Sequence, residues 1–256
     1  TVDGWYGPQD AFFHGDRVEH ELKVMVGDVK LESSGHLADS HTMSGADLDF
    51  RLSGSKISTL LETLAVPPIS EGAYDFRIEL EPRDGLTHIR LLGDLGSLQA
   101  HATGQLDRLI RPQLGVINGS ISGPNLAALG QAFGIEGFVE DAFDILANAR
   151  YQPGAVHIDQ LSLDSSADRL NVSGILGTDA QYKNTRLAVH LDSREPGRWA
   201  PLLKRDPVII GQARLVGDVF SDDEGIFSTT ASVRLDQSSL ELDGVLGPLT
   251  GPLHPE

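Results

Sequence analysis

Hydrophobic and polar residues alternate with a period of two along most of this chain. Tyr74, Phe76, Ile78 and Leu80 are interleaved with Asp75, Arg77, Glu79 and Glu81. Leu98, Ala100 and Ala102 alternate with Gln99, His101 and Thr103, and Phe143, Ile145, Ala147 and Ala149 with Asp144, Leu146, Asn148 and Arg150. Leu187, Val189 and Leu191, then Phe227, Thr229, Ala231, Val233 and Leu235, keep the same beat. Successive side chains of a strand point to opposite faces, so this pattern predicts strands that hide one face and wet the other. Turn signals divide the runs: Pro82-Arg83-Asp84-Gly85, Gly93-Asp94-Leu95-Gly96, Gln152-Pro153-Gly154 and Asp222-Asp223-Glu224-Gly225. Each supplies Gly, Pro or Asp where a hairpin needs it. The reading is about 13 strands, linked mainly as a meander.

Three short stretches break the alternation and predict helices: Ser55–Leu64, Pro124–Phe133 and, weakened by Pro201, Arg198–Lys204. In the second, Pro124 suits an early helical position and Ser122 or Gly123 a cap. Leu60, Leu129 and Leu202 sit at equivalent places in the three, 69 and 73 residues apart. The strands Asp49–Gly54 and Asn118–Gly123 each end just before a helix. A period of this size predicts stacked supersecondary units. The division is a lead-in (1–17), the end of a preceding repeat (18–53), repeats over 54–121, 122–196 and 197–247, the last partial, and a tail (248–256).

Composition narrows the function classes. The 256 residues carry a formal net charge of −17 and no cysteine. A nucleic-acid partner needs clustered Lys and Arg and is excluded, and attraction to an anionic membrane surface is disfavoured. Disulfides, thiolate metal sites and Cys nucleophiles are excluded as well. No apolar run approaches the roughly 20 residues that span a bilayer. The chain begins at Thr1 without Met. It reads as a soluble segment of a longer protein whose membrane anchor and membrane contact lie elsewhere.

No motif carries recognisable catalysis, and no cofactor is expected. The nine histidines are scattered, mostly in the polar register of strands, and the closest pair, His36 and His41, lacks a metal-binding context. Asp222–Gly225 lacks the alternate-ligand spacing of a calcium loop and reads as a hairpin tip. Asp47 and Asp49 place two carboxylates on one strand face without the flanking geometry that glycoside hydrolysis needs. No GxSxG elbow occurs, and the Gly/Ser-rich Gly115–Gly123 lacks the Lys of a phosphate loop.

The informative residues are therefore apolar. Phe76, Ile78, Leu80, Ile89, Leu98, Phe143, Ile145, Leu161, Leu163, Leu170, Val172, Leu187 and Val189 lie mid-strand on the side expected to avoid water. Three short helices cannot cover 13 strands. That face either meets another sheet in a closed sandwich or barrel, or lines a groove that holds apolar ligand.

The stretch Ser122-Gly123-Pro124-Asn125-Leu126-Ala127-Ala128-Leu129-Gly130, with Leu161-Ser162-Leu163 and Arg169-Leu170-Asn171-Val172-Ser173-Gly174-Ile175-Leu176-Gly177, resembles the AsmA-like family of Gram-negative envelope proteins, which includes the TamB-like proteins. The resemblance spans roughly residues 18–247. Lys56 and Ile57 replace the Pro-Asn pair in the first copy, and Pro201 interrupts the third. It implies a mainly β fold: an extended, curved antiparallel sheet in repeats with short helices, forming a groove or taco-like module. It also implies a periplasmic segment of an inner-membrane-anchored parent that passes phospholipid between inner and outer membranes. The thirteen apolar residues above would then line the lipid groove. Phospholipid would be the main partner and other envelope proteins further ones. The alternative is a non-catalytic assembly or scaffold module that binds partner proteins through exposed strand edges.

Overall fold

The computed structural model describes residues 1–7, 17–37, 45–56, 72–109, 112–132, 137–179, 181–199, 211–235 and 238–248. They form one antiparallel sheet of 15 strands in sequence order. The strands are β1 (Val2–Tyr6), β2 (Val18–Val26), β3 (Val29–Leu37), β4 (Asp47–Gly54), β5 (Tyr74–Arg83), β6 (Leu86–Leu95), β7 (Leu98–Leu106) and β8 (Gly115–Gly123). Then come β9 (Phe143–Gln152), β10 (Ala155–Ser165), β11 (Asp168–Gly177), β12 (Arg186–Ser193), β13 (Ala213–Ser221), β14 (Ile226–Leu235) and β15 (Ser238–Pro248). The sheet is open, with β1 and β15 as its two edges. The mainly β, meandering architecture is as the alternation predicts, and it is not closed into a barrel.

There are two strands more than the 13 read from sequence. One is β1, inside the stretch taken as a lead-in: five residues with Gly4 at the centre give too short an alternation to read. Three predicted turns fall where expected, at Asp84-Gly85, Pro153-Gly154 and 222–225, whereas the one expected over Gly93–Gly96 lies at Gly96-Ser97, because Gly93, Asp94 and Leu95 are claimed by the β6 ladder.

Of the predicted helices, the middle one is present as α1 (Leu126–Ala132). It starts later than its sequence suggests. Asn125 is the cap, its Oδ1 accepting the Ala128 N–H at 3.2 Å. Ser122 and Gly123 instead pair with Asp144 and Phe143 at the end of β8, so they are not free to cap. Residues 57–64 and 200–204 of the other two, including Leu60 and Leu202, lie outside the described residues; Arg198 and Trp199 belong to a 3-10 turn, Pro196–Trp199.

The repeat is sharper than the helices indicated. Every fourth strand is followed by a 19-residue connection: 55–73, 124–142 and 194–212. The strands after these connections begin at Tyr74, Phe143 and Ala213, 69 and 70 residues apart. The third strand of each unit carries a glycine at the same place: Gly35, Gly104, Gly174 and Gly244, at intervals of 69, 70 and 70. Each is followed two residues later by leucine, in Gly35-His36-Leu37, Gly104-Gln105-Leu106, Gly174-Ile175-Leu176 and Gly244-Val245-Leu246. Gly35 and Gly174 have φ of 135° and 134°, which L side chains rarely adopt, and a β-carbon would strike the carbonyl oxygen of Asp47 or Arg186 across the ladder. At Gly104 the carbonyl of Val116 would lie 2.7 Å from a β-carbon.

One irregularity keeps the apolar residues in phase. In β10 they shift from even to odd numbers, Val156 and Ile158 to Leu161 and Leu163. A bulge at Asp159 and Gln160 absorbs the extra residue, so all four stay on one side. Gly174→Ala removes the dihedral freedom and adds the carbonyl clash. It is expected to lower stability by about 2–3 kcal/mol, measured by chemical denaturation, whereas Ser173→Ala, on the outer face, changes it by less than about 0.5 kcal/mol.

Candidate functional site

Residues paired across an antiparallel ladder point to the same side, so the register assigns every strand residue to a face. One face is apolar through the whole sheet. A single row reads Val2, Val24, Leu31, Leu52, Phe76, Gly93, Ala100, Ile121, Ile145, Leu163, Leu170, Leu191, Leu215, Val233 and Leu240, one residue per strand with no polar side chain. The adjacent row runs from Gly4 to Leu242 through Phe50, Ile78, Leu91, Ala102, Gly119, Ala147, Leu161, Val172, Val189, Gly217 and Ala231, and its one polar member among the described side chains is Ser33. A third row contains Leu48, Leu80, Ile89, Ile117, Ala149, Ile158, Leu187 and Val219. At about 4.8 Å per strand and about 3.4 Å per residue, these rows cover a strip about 65 Å long and about 14 Å wide.

All thirteen sequence-predicted residues lie on this face. Phe76, Ile145, Leu163 and Leu170 fall in the first row, Ile78, Leu161, Val172 and Val189 in the second, and Leu80, Ile89 and Leu187 in the third. Leu98 and Phe143 sit beyond the first row at the end of the strands, where α1 covers them: with Leu126 and Val139 they form the core cluster joined by Leu129, Phe138 and Trp199. Leu80 is also covered, in a cluster with Leu37, Ala46 and Leu48 at the opposite strand ends. The other ten are half-buried. Sequence reading left out Leu22, Val24, Leu31, Phe50, Leu52, Leu91, Ile121, Leu215, Val233 and Leu240, which share the face; the same alternation marks them, but in shorter or less bulky runs.

Burial therefore concentrates at the two strand ends and leaves the middle of the face thinly covered. On one side the connections wall the strip. Asp141, from the second connection, accepts from Ser166 Oγ at 2.5 Å and from Arg198 Nη2, in the third, at 3.1 Å, and Phe138 meets the Trp199 ring edge-on at 5.9 Å. The Ser166 bond, then Arg198, holds the Asp141 carboxyl below its ordinary range. On the other side Thr185 and Ser221 close the loop: Thr185 Oγ1 and Ser221 Oγ both donate to the Tyr182 carbonyl at 2.6 Å. Along the strip between these walls, Ala100, Ala102, Gly119, Ala147 and Ala149 place small residues on β7, β8 and β9, which lowers the floor at the middle of the sheet.

Exposed area gives an independent measure. The chain exposes 16174 Å², against about 11,000 Å² for a compact monomer of this mass. A single open layer of strands exposes more surface than a compact globule does.

The opposite face is mainly polar, with Leu92, Leu146, Val216 and Phe220 exposed on it, and is ion-paired across strands: Arg51 with Asp75 at 2.6 Å, Arg77 with Asp49 at 2.7 Å, Arg90 with Glu79 at 3.2 Å and Arg150 with Asp159 at 2.6 Å. Such exposed pairs contribute little individually. Depressions of about 730 Å³ and 300 Å³ on this face are lined in part by these paired charges, Arg51, Asp75, Arg77 and Asp49 in the first and Glu79 and Arg90 in the second. Asp49, one of the two carboxylates weighed for chemistry, is thus engaged by Arg77, and Asp47 lies 3.9 Å from His36 Nδ1. Asp222 accepts the N–H groups of Glu224 and Ile226 at 2.9 Å, as a hairpin tip does. Among the described residues no three His, Asp or Glu side chains converge as a metal site requires.

Besides Ser33, and Thr229 in the third row, polar groups intrude on the apolar side at His20 and Asp168. His20 faces inward and its Nε2 is 2.7 Å from the buried Ser33 Oγ. Asp168 is buried at a strand end, where Ser193 Oγ and Ser165 Oγ donate to it. No protein-family model matches the chain, and no curated protein and no solved structure matches it.

Burial pulls the His20 imidazole below its ordinary value of 6.5. A group with a depressed folded pKa stabilises above its unfolded pKa, and that contribution is lost as pH falls through the folded value. Stability is therefore expected to fall below about pH 6.5, and His20→Gln to flatten that decline in denaturation curves taken between pH 7 and 5; an unchanged decline would remove His20 as its cause.

Proposed function

We propose that this chain is a lipid-conducting segment. Its apolar face binds phospholipid acyl chains and lets them slide along the sheet, with head groups kept at the polar rim. The single observation that carries the reading is the unbroken apolar row from Val2 to Leu240. An acyl chain spans about half of a bilayer's 30 Å hydrocarbon core, so a strip several times that length gives it many equivalent positions. Each methylene removed from water contributes about 0.8 kcal/mol, and no position on the row requires it to cross a polar side chain. Motion along such a strip is passive. No residue performs chemistry, and direction comes from outside the segment.

The reading fits an AsmA-like bridge in the periplasm, held by an inner-membrane-anchored parent and carrying phospholipid between the two membranes. Several features support that placement as a proposal: the motifs of the second repeat, the four-strand unit with its helical connection, and the one-sided face. The net charge of −17 keeps the outer surface soluble and repels anionic head groups from it, which leaves the apolar side as the place where lipid can lie.

Native mass spectrometry of gently purified protein should reveal bound phospholipid, and delipidated protein should take up a fluorescent phospholipid from vesicles. Val172→Glu and Val189→Glu place charges mid-strip at half-buried positions outside the covered clusters. Both are expected to cut uptake at least about tenfold, roughly the cost of 1.4 kcal/mol, while circular dichroism stays that of the parent. Wild-type protein that neither retains nor takes up lipid would contradict the proposal. So would unfolding of both variants, which is the outcome for a face sealed by protein.

A further inference from the structure

The repeating glycine behaves differently in the last strand. Gly35, Gly104 and Gly174 are inside the sheet, and at each the following strand brings a main-chain carbonyl, from Asp47, Val116 or Arg186, to the site a β-carbon would fill. The residue paired with the glycine is Leu48, Ile117 or Leu187. Gly244 stands at the same place in β15, in the same row of the sheet. A β-carbon there would meet nothing within 4 Å, and Gly244 is not among the residues with positive φ. Neither packing nor dihedral angle within the described chain calls for glycine at this point. Glycine in a strand interior costs about 0.5–1 kcal/mol relative to alanine.

The strand itself is long and half open: Glu241 and Asp243 charge its polar face, and its described apolar residues are exposed. β15 is 11 residues long and, among the described residues, pairs only with β14. Leu240, Leu242 and Val245 are 53%, 42% and 73% exposed. Edge strands are ordinarily short, charged or covered, because an open ladder invites pairing.

We infer that β15 is an acceptor edge, and that Gly244 is kept open for the carbonyl of an incoming antiparallel strand. The occupant is a polypeptide strand of the β4, β8 and β12 type, with alternating apolar residues on the groove side and leucine or isoleucine opposite Gly244. Pairing of this kind would extend the apolar strip by one more row of residues. Among the described residues the other edge strand, β1, is not of this type: it has glycine at Gly4 on the groove side and contains no leucine or isoleucine. The inference does not depend on lipid binding, since it concerns main-chain pairing alone.

The probe is a fluorescent peptide carrying the β12 sequence, Arg186–Ser193, titrated into the full chain and followed by anisotropy. Saturable binding is expected, with slowed amide exchange along β15. Gly244→Val should weaken binding by more than about tenfold with an unchanged melting temperature, and a peptide with its alternation scrambled should not bind. Absence of binding would overturn the inference, as would equal binding by Gly244→Val or by the scrambled peptide. Concentration-dependent dimerisation that Gly244→Val abolishes would overturn it too, by assigning the edge to a second copy.

Discussion

The backbone ladder is the constraint from which the rest follows. Side chains alternate with a period of two, so a slip of one residue between neighbouring strands would carry an entire strand's apolar set to the other face. Fourteen consecutive pairings hold that phase from β1 to β15. Where the sequence itself changes phase, between Ile158 and Leu161, a bulge restores it. The outcome is a sheet with one continuous apolar side, something that neither a single hairpin nor a set of independent small sheets would produce.

A sheet of this kind has to hide its apolar side or give it a use. Among the described residues, protein covers only the two margins. Helix α1 and the connections around Val139 and Trp199 bury Leu98 and Phe143 at one set of strand ends, and Ala46 and Leu109 pack with Leu48 and Leu80 at the other. Between these margins Ile78, Leu161, Val172 and Val189 stay half-buried, and the small residues of β7 to β9 leave space above the floor. The polar face has depressions as well, lined in part by charges paired across strands. Its Arg and Asp side chains are paired across strands, so they offer solubility and a ladder of weak pairs instead of a binding site.

The alternation around Phe76, Ile145 and Val189 was enough to give the strands, their faces and the candidate residues, because period two survives in sequence even when burial is partial. Three things were harder to read. β1 is too short and Gly4 interrupts it. The cap of α1 was misplaced because Ser122 and Gly123 look like capping residues but are claimed by the ladder. The role of Leu80, Leu98 and Phe143 as covered margin instead of open floor depends on which chain segment folds back over them, and no local pattern records that. The periodic glycines were visible in the sequence all along. Their meaning came only from the neighbouring carbonyls, since spacing alone does not distinguish a close approach from a turn.

The central claim is that the apolar side is lined along its whole length by lipid and not by protein. A photoactivatable amino acid placed in turn at Val24, Ile145 and Leu215, all in the unbroken row, and at Arg77 and Asn148 on the polar face, tests it in protein exposed to phospholipid vesicles. Crosslinks to phospholipid at all three inward positions, and at neither outward one, are the predicted result. Crosslinks only to other parts of the chain at the inward positions, or equal lipid labelling on both faces, would contradict it.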